Sequence, residues 1–345
     1  MIRFKEDAMD SFYRLLKVNR LVRSHRIKFA ALLAMHHLHQ RYLCLRFDPV
    51  MSCNLRCQMC YFSDPAFTKE HLGRFSWEQI ERLAEVLFPR TLQMYLGCGT
   101  EPTTYKRWID ILVLAKKYRV PMIGMVSNGH LLTREKIEKL IEVGLHELTL
   151  STHGVRKETY ELMMRRASFD KFLEVLETVD SVKRKGGYHL PQLRLNYTVN
   201  PDNLEELSRF FDVYGRYGIS TLQVRPIIDF GHTEYEKKDM RPYQETYLRI
   251  LEALRGECQR RGIRLLANTD DISYTKKSTI PTLADEVTVY INPEEISKKG
   301  FDWQRESYER YCRRTGWSRK IVRYVLSSAD QLATASTHLS YQVLD

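Results

Sequence analysis

The 345-residue sequence lacks any long hydrophobic run. Its longest, FAALLAM at residues 29–35, falls well short of the roughly 20 apolar residues that a membrane-spanning helix needs. The start, MIRFKEDAMDSF, also lacks the order of charged, apolar and small residues that marks a secretory signal. We therefore expect a cytoplasmic protein without a membrane-spanning helix.

Acidic residues are scarce in the two flanks of the chain. Residues 1–46 carry ten Lys or Arg against three acids, and residues 296–345 carry nine against five, so the flanks account for the net charge of +11. An anionic membrane could meet the protein peripherally through these bases, or the bases could simply solvate terminal helices. We do not expect a nucleic-acid partner, because only the basic flanks favour one.

Cysteine is scarce too, and its seven residues are unevenly placed. An odd number, with three residues crowded into CNLRCQMC at residues 53–60, does not resemble the disulfide framework of a secreted protein. In a reducing compartment such a crowd indicates a metal site.

From residue 41 onward, short β-rich stretches alternate with amphipathic helical patterns. Ser76 with Gln79 and Asn203 with Glu206 predict capping boxes at two helix starts. Six strand-helix repeats in a row require a parallel sheet, either doubly wound or closed into a complete or partial barrel. The six predicted strands begin near residues 41, 91, 120, 146, 193 and 220.

Polar and glycine-bearing segments follow five of these strands, namely MSCNLRC, GCGTEP, SNGH, STHG and NPDN. In both architectures the carboxyl ends of the parallel strands lie at one edge of the sheet, and active sites form there. We therefore expect these segments to surround one opening.

The sequence divides into three predicted parts. Residues 1–40 form a basic N-terminal helical extension, residues 41–262 the α/β core, and residues 263–345 a C-terminal extension with a helical tail at 301–327. The aromatic and basic residues of that tail favour a cap over the opening, and a helix packed against the outside of the core is the alternative.

Cys53, Cys57 and Cys60 follow the first predicted strand and can all turn toward one metal centre. Structural zinc prefers four ligands in paired spacing, and iron-sulfur clusters usually take four cysteines. Three protein ligands would leave a metal position open, which is what separates catalytic from structural zinc sites. The other cysteines are isolated from one another: Cys44, Cys98, Cys258 and Cys312.

The spacing Cys-x3-Cys-x2-Cys followed by an aromatic residue, in the loop after the first strand, resembles that of the radical S-adenosylmethionine (SAM) enzymes. The resemblance implies a partial (β/α)6-type TIM barrel in which Cys53, Cys57 and Cys60 hold a 4Fe-4S cluster and SAM occupies the fourth iron. It also implies that one electron, from a donor such as flavodoxin or ferredoxin, cleaves SAM to a 5′-deoxyadenosyl radical that takes hydrogen from the substrate.

Segments at the following strand ends resemble further motifs of that family. GCGTEP is similar to its Gly-Gly-Glu-Pro segment, with Cys98 and Thr100 where glycines are common, and SNG and LSTHG are similar to its next two motifs. RRASF resembles a stretch whose arginine meets the SAM carboxylate, and YTVNPDN one whose asparagine faces the opening. The resemblance implies that SAM contacts Tyr61, Gly99, Glu101, Ser127, Asn128, Ser151 and Arg165, with Arg166 as the alternative to Arg165, and with Asn196 or Asn200 at the opening.

The substrate class stays open between small molecules, glycan-linked or lipid-linked groups and peptides. We expect a single cluster, because residues 260–345 contain only Cys312, whereas peptide-modifying relatives often carry a cysteine-rich extension there. Two other hypotheses are a structural zinc or iron-sulfur module that uses the three cysteines with a distant ligand, and a radical SAM enzyme that acts on nucleic acid.

Overall fold

The computed structural model describes residues 21–228, 231–233, 235–269, 272, 283–327 and 342–344. Within them, one open sheet has the strand order β8-β1-β2-β3-β4-β5-β6-β7-β9. All neighbouring strands pair in parallel except β9, which runs antiparallel to β7. The strands are β1 (Leu43–Phe47), β2 (Thr91–Leu96), β3 (Met122–Ser127), β4 (Glu147–Thr152), β5 (Gln192–Val199), β6 (Ile219–Pro226), β7 (Arg264–Ala267), β8 (Thr288–Ile291) and β9 (Gln342–Leu344).

Helices connect the successive strands, as right-handed parallel crossovers require. The helices are α1 (His25–His37), α2 (Pro65–Glu70), α3 (Trp77–Leu87), α4 (Trp108–Lys117), α5 (Arg134–Val143), α6 (Lys157–Met163), α7 (Phe169–Gly186), α8 (Phe210–Tyr214), α9 (Gln244–Arg261), α10 (Leu283–Val287), α11 (Tyr308–Arg314) and α12 (Trp317–Leu326). Of these, α1 precedes β1, and α11 and α12 follow β8.

The partial barrel is confirmed, and it is larger than six strands. β7 and β8 extend the two sides of the predicted sheet, and both come from beyond residue 262. Each has only four residues, and of the two only β7, within IRLLANTD, has a sequence that also suggests a strand. The predicted C-terminal extension therefore also supplies strands to the barrel.

Of the two predicted capping boxes, one is confirmed and one is wrong. Ser76 and Gln79 exchange the expected hydrogen bonds at the start of α3. Asn203 instead accepts a hydrogen bond from the backbone N of Asn200 at 2.8 Å, and Glu206 accepts one from the backbone N of Arg156 at 2.9 Å. These side chains brace the loops that follow the strands, so only a 3-10 turn and the short helix α8 form there.

The N-terminal and C-terminal helical extensions pack against each other outside the barrel. The rings of Phe29 in α1 and Tyr324 in α12 lie 5.1 Å apart. Trp317, the first residue of α12, stacks on Tyr42 just before β1, with ring centroids 5.9 Å apart. This contact places the start of α12 near the amino-terminal end of β1, opposite the carboxyl ends. The cap over the opening stays a prediction, and residues 1–20 and 328–341 lie outside the described residues.

In the part of the chain that the structure describes, no helix is both long enough and apolar enough to cross a membrane.

The two faces of the sheet differ in polarity. Leu45 and Leu195 belong to the main hydrophobic core shared with the helices, whereas Tyr95, Met122 and Leu266 form a separate small cluster on the concave face. The alternation follows from the two-residue period of a strand. The concave face is therefore a mostly polar lumen with a few apolar side chains.

A buried ion pair lies on that concave face near the amino-terminal end of β4. Glu147, fully buried, accepts a hydrogen bond from the Arg194 guanidinium at 2.7 Å and another from the Tyr95 hydroxyl. Removing one partner of a buried pair costs far more than the pair contributes net, because the other charge stays buried.

We predict that Glu147→Gln lowers the free energy of unfolding by about 3 kcal/mol or more, because Arg194 would then face a neutral amide. Urea denaturation measures this change. The matched control is Glu138→Gln on α5, whose half-exposed carboxylate lies 3.8 Å from Arg134 and should cost less than about 1 kcal/mol. Equal losses in the two variants would contradict the prediction.

Candidate active site

The three cysteines lie on one loop between β1 and α2. The backbone N of Cys60 donates to the carbonyl of Cys57 at 3.0 Å, and the backbone N of Leu55 lies 3.4 Å from the Sγ of Cys53. All three side chains are half-buried. The loop therefore already has a compact, folded conformation around its thiols.

Two backbone hydrogen bonds tie this loop to the segment that follows α6. The backbone N of Arg56 donates to the carbonyl of Arg165 at 3.0 Å, and that of Gln58 to the carbonyl of Met163 at 2.9 Å. The Arg56 guanidinium also donates to the carbonyl of Cys53 at 2.7 Å. The loop is thus supported from a neighbouring strand-helix unit as well as from its own strand.

Burial keeps the three thiols in their neutral form in the absence of a metal. Burial raises the pKa of Cys53 to about 12 and that of Cys60 to about 11, and it also raises the pKa of Cys57 well above its ordinary value. Cys53 and Cys60 both raise the pKa of Cys57, which shows that the thiols lie near one another. Bound metal would stabilise the thiolates and release their protons.

Among the described residues, no three Cys, His, Asp or Glu side chains are arranged to hold a single metal ion. A four-iron cluster binds each thiolate through a different iron atom, so its ligands do not have to converge on one point. A donor set of sulfur alone suits an iron-sulfur cluster. The three cysteines fit such a group.

The loop after β2 approaches the cysteine loop closely. The Tyr61 hydroxyl donates to the carbonyl of Gly99, and a Cβ atom added to Gly99 would lie 2.6 Å from that hydroxyl. Gly97 has φ +81°, and a Cβ there would lie 2.4 Å from the carbonyl oxygen of Val126. Glycine is required at both positions because the backbone packs where a side chain would stand.

The carboxylate of Glu101 joins the ends of β2 and β3. It is buried and accepts hydrogen bonds from the Ser127 hydroxyl at 2.9 Å and from the backbone N of Asn128 at 2.8 Å. Burial raises the pKa of Glu101, and these donors lower it. The Asn128 amide in turn donates to Asn54 Oδ1 at 2.8 Å. Three of the predicted contact residues thus form one network that reaches the cysteine loop.

The remaining predicted contact residues fall in different places. Ser151 lies opposite Asn196 in the register of β4 and β5, on the concave face. Asn200 is fully buried, and its Oδ1 accepts a hydrogen bond from the Tyr235 hydroxyl at 2.9 Å, so its side chain stabilises a loop. Of the two asparagines, Asn196 is therefore the one that lies on the lumen side.

Both candidate arginines, Arg165 and Arg166, line the same cavity of about 390 Å³ beside the cysteine loop. Arg166 has φ +70°, a conformation that only a well-supported turn gives to a non-glycine residue. The cavity is lined by Arg56, Ser63, Pro65, Thr68, Arg165 and Arg166. Both arginines thus lie at the same cavity, and either one stays a candidate for contact with the SAM carboxylate.

Asp48, directly after β1, is a site residue that the sequence reasoning missed. It is fully buried and accepts from the backbone N of Cys98 at 2.6 Å and of Gly99 at 2.8 Å. The Tyr290 hydroxyl of β8 donates to it at 2.9 Å. An aspartate before a proline at a strand end was the available signal, but its partner strand β8 was not predicted.

Two of the other cysteines lie on helices away from the thiol loop. Burial raises the pKa of Cys258 in α9 and of Cys312 in α11 to about 12, so the neighbouring bases do not activate these thiols. Cys98 lies at the barrel opening, where burial raises its pKa to about 11 although Arg46 and Arg225 lower it.

We predict that Gly99→Ala destabilises the protein by about 1–3 kcal/mol, because the new methyl group overlaps the Tyr61 hydroxyl. Tyr61→Phe removes that oxygen, so the double variant should recover part of the loss, with a coupling of at least about 0.5 kcal/mol in urea denaturation.

The control is Gly256→Ala in α9, where an added Cβ has nothing within 4 Å. It should stabilise the helix by about 0.5–1 kcal/mol. Strictly additive effects of Gly99→Ala and Tyr61→Phe would show that the close approach is not what constrains position 99.

A sequence model of the Radical SAM superfamily matches residues 49–212. The chain is 24% identical over 204 residues to a probable GTP 3′,8-cyclase of Saccharolobus solfataricus, which covers 58% of this chain and 63% of that protein. It is 28% identical over 183 residues to the Fe-coproporphyrin III synthase of Methanosarcina barkeri, and that match covers 53% of this chain and 42% of the synthase. The chain thus spans less than two thirds of the length of these relatives.

The fold is similar to that of two solved structures with bound SAM. Streptococcus suis SuiB bound to S-adenosylmethionine has a TM-score of 0.56 at 15% identity, over 73% of this chain and 58% of that one. Native anSMEcpe with bound AdoMet has a TM-score of 0.52 at 18% identity, over 66% and 64%. The matched segment begins just before the cysteine loop and ends in α8, so the part of the chain that is similar to the radical SAM superfamily contains Cys53, Cys57 and Cys60.

Proposed function

We propose that this protein is a cytoplasmic enzyme that uses one 4Fe-4S cluster and SAM to begin radical chemistry on its substrate. The observation that supports this most directly is the loop of Cys53, Cys57 and Cys60, which follows β1 within the matched domain. Its neighbours from β2 and β3 are the strand ends that the family resemblance assigns to SAM.

Each group of site residues has a distinct part in this proposal. The three thiolates hold the cluster, which together with SAM supplies a radical able to remove a hydrogen atom from the substrate. Gly97 and Gly99 let the loop after β2 pack tightly beside the cysteine loop, where its backbone would meet SAM, and Tyr61 lines the adenine side. Glu101, through Ser127 and Asn128, positions these loops. Ser151 and either Arg165 or Arg166 form the polar contacts with SAM.

The relatives differ in substrate, so the substrate of this chain is proposed only by class. One relative is named for GTP, and another structure of SuiB contains its precursor peptide SuiA. We propose a small-molecule or peptide substrate, and a flavodoxin-like or ferredoxin-like electron donor.

We predict that anaerobic reconstitution with iron and sulfide yields about four irons per chain, the content of one 4Fe-4S cluster. On reduction with dithionite in the presence of SAM, the protein should form 5′-deoxyadenosine, which chromatography with mass detection measures. Cys53→Ala, Cys57→Ala and Cys60→Ala should each lose cluster absorbance and reduce 5′-deoxyadenosine to background, because no other cysteine lies on the loop.

Cys258→Ala is the matched control, since Cys258 is buried in α9 and should leave both quantities unchanged. One tightly held zinc per chain with no 5′-deoxyadenosine would favour the structural metal module instead. An iron content near eight would contradict the proposal of a single cluster.

A further inference from the structure

The two helices that pack together outside the barrel carry bases and no acidic residue. Residues 21–40, which include α1, hold three Lys or Arg, and α12 holds three more, whereas neither segment contains Asp or Glu. Both helices lie outside the segment matched at residues 49–212, so the proposed radical chemistry leaves their charge unexplained. The six bases are Arg23, Arg26, Lys28, Arg319, Lys320 and Arg323.

Carboxylates of the neighbouring helices α10 and α11 offset only part of this charge. A carboxylate that comes near α12 without a printed cation partner is Asp285 of α10: burial raises the pKa of Tyr324 on α12, and Glu286 and Asp285 raise it further. Among the described residues, Arg23, Arg26 and Arg323 form no ion pair. Three other carboxylates already pair with cations: Glu286 with Lys320 at 2.8 Å, Glu306 with Arg314 at 2.6 Å and Glu309 with Arg90 at 3.5 Å.

The start of α1 and the end of α12 lie side by side. The ring Nε2 of His25 lies 3.1 Å from the carbonyl oxygen of Ser327, and that of His37 lies 3.3 Å from the Ser318 hydroxyl, so the two helices run antiparallel. Six exposed residues lie within four positions of the first contact, and we call them the terminal patch. They are Leu21, Arg23, Arg26, Ile27, Arg323 and Leu326.

The two helices present this patch on one side of the protein. Phe29 and Leu32 of α1 are buried in the main hydrophobic core, and so are Trp317 and Ile321 of α12. In each helix the patch residues lie on the face opposite these buried side chains, as the period of 3.6 residues requires. Because both buried faces rest on the same core, both exposed faces point outward together.

The aliphatic side chains of the patch stand open to solvent among its arginines. Leu21 is 80% exposed, Leu326 74% and Ile27 61%, and these are three of the five most exposed large hydrophobic side chains in the described residues. An isolated exposed leucine needs no explanation, but three of them around one helix contact form a surface that a partner can cover.

The mixture of arginine and leucine in one surface indicates which partner fits. A protein–protein interface is depleted of charged residues at its apolar centre. A nucleic acid would contact the arginines through its phosphates and leave the aliphatic side chains in water. A membrane surface uses both, because anionic headgroups attract bases while Leu and Ile enter the boundary of the acyl chains.

We infer that the terminal patch binds the surface of an anionic phospholipid bilayer, with its three arginines at the lipid phosphate groups and its three aliphatic side chains at the acyl-chain boundary. Since the cation and aliphatic contributions are each modest, binding needs both of them and is reversible. The inference goes beyond the proposed function and does not depend on it, because the patch lies outside the matched segment.

The test uses the full chain with its cluster reconstituted, and measures anaerobic co-sedimentation with phospholipid vesicles. One set of vesicles contains phosphatidylcholine alone, and the other contains about one third phosphatidylglycerol, which supplies a negative surface potential. We expect the protein to sediment with the anionic vesicles and not with the neutral ones. Added sodium chloride should weaken the binding, because salt screens exposed charges.

Two variants of the patch should weaken this binding. Arg323→Gln should lower the affinity about fivefold, the ratio that corresponds to about 1 kcal/mol for one base at an anionic surface. Leu326→Gln should lower it about tenfold or more, the ratio that corresponds to burying one leucine side chain. Both side chains are exposed, so both variants should fold and should form 5′-deoxyadenosine at the wild-type rate without vesicles.

Matched controls lie elsewhere on the surface. Arg249→Gln removes an exposed arginine from α9, and Leu72→Gln removes a leucine after α2 that is 73% exposed, as open as Leu326. Both should leave the affinity for vesicles unchanged. Equal losses in the control and patch variants would show that the binding is non-specific and that the inference is wrong.

Other outcomes would overturn the inference in distinguishable ways. Binding to neither kind of vesicle, or equal binding to both, contradicts it. If the protein binds no vesicles but is a dimer in sedimentation velocity, and Leu326→Gln is a monomer, the patch joins two copies of the chain instead. If it binds a DNA duplex through Arg323 and no vesicles, the partner is a nucleic acid. A failure to form 5′-deoxyadenosine would count against the proposed function alone.

Discussion

The buried carboxylate of Glu101 holds the candidate site together. A charged group without solvent is costly unless several donors surround it, and here the donors come from the end of β3 and from Thr103 in its own loop. The side chain of Asn128 also donates a hydrogen bond to Asn54 in the thiol loop. The thiol loop is therefore connected to the carboxyl ends of β2 and β3. The loop of Gly97 and Gly99 and the loop of thiols are therefore held in place relative to each other.

Asp48 is a second buried carboxylate that joins two loops of the site. Its carboxylate is buried at the end of β1 and receives the backbone N–H groups of Cys98 and Gly99. The two carboxylates therefore hold the loop after β2 from both directions, which leaves the Gly99 backbone little freedom to move. Positioning before binding lowers the cost of ordering a cofactor.

The polarity of the lumen is the second constraint on this fold. Parallel sheets normally bury both faces with apolar side chains. Here the helix-facing side follows that rule, and the concave side instead carries arginines, an asparagine and a glutamate. Keeping such groups out of bulk water is unfavourable, so their presence marks the lumen as the part of the barrel selected for binding.

The sequence by itself determined the strand-helix alternation, the three-cysteine loop and the positions of the polar strand ends, because these depend on local periodicity and on motif spacing. It misjudged Asn203 and Glu206, and it left β8 out, because those outcomes depend on contacts between distant segments. Only the tertiary structure decided that Asp48 meets Tyr290 and that Glu101 meets Ser127. The physical reason is that barrel curvature, which no single segment encodes, decides which side chains become neighbours.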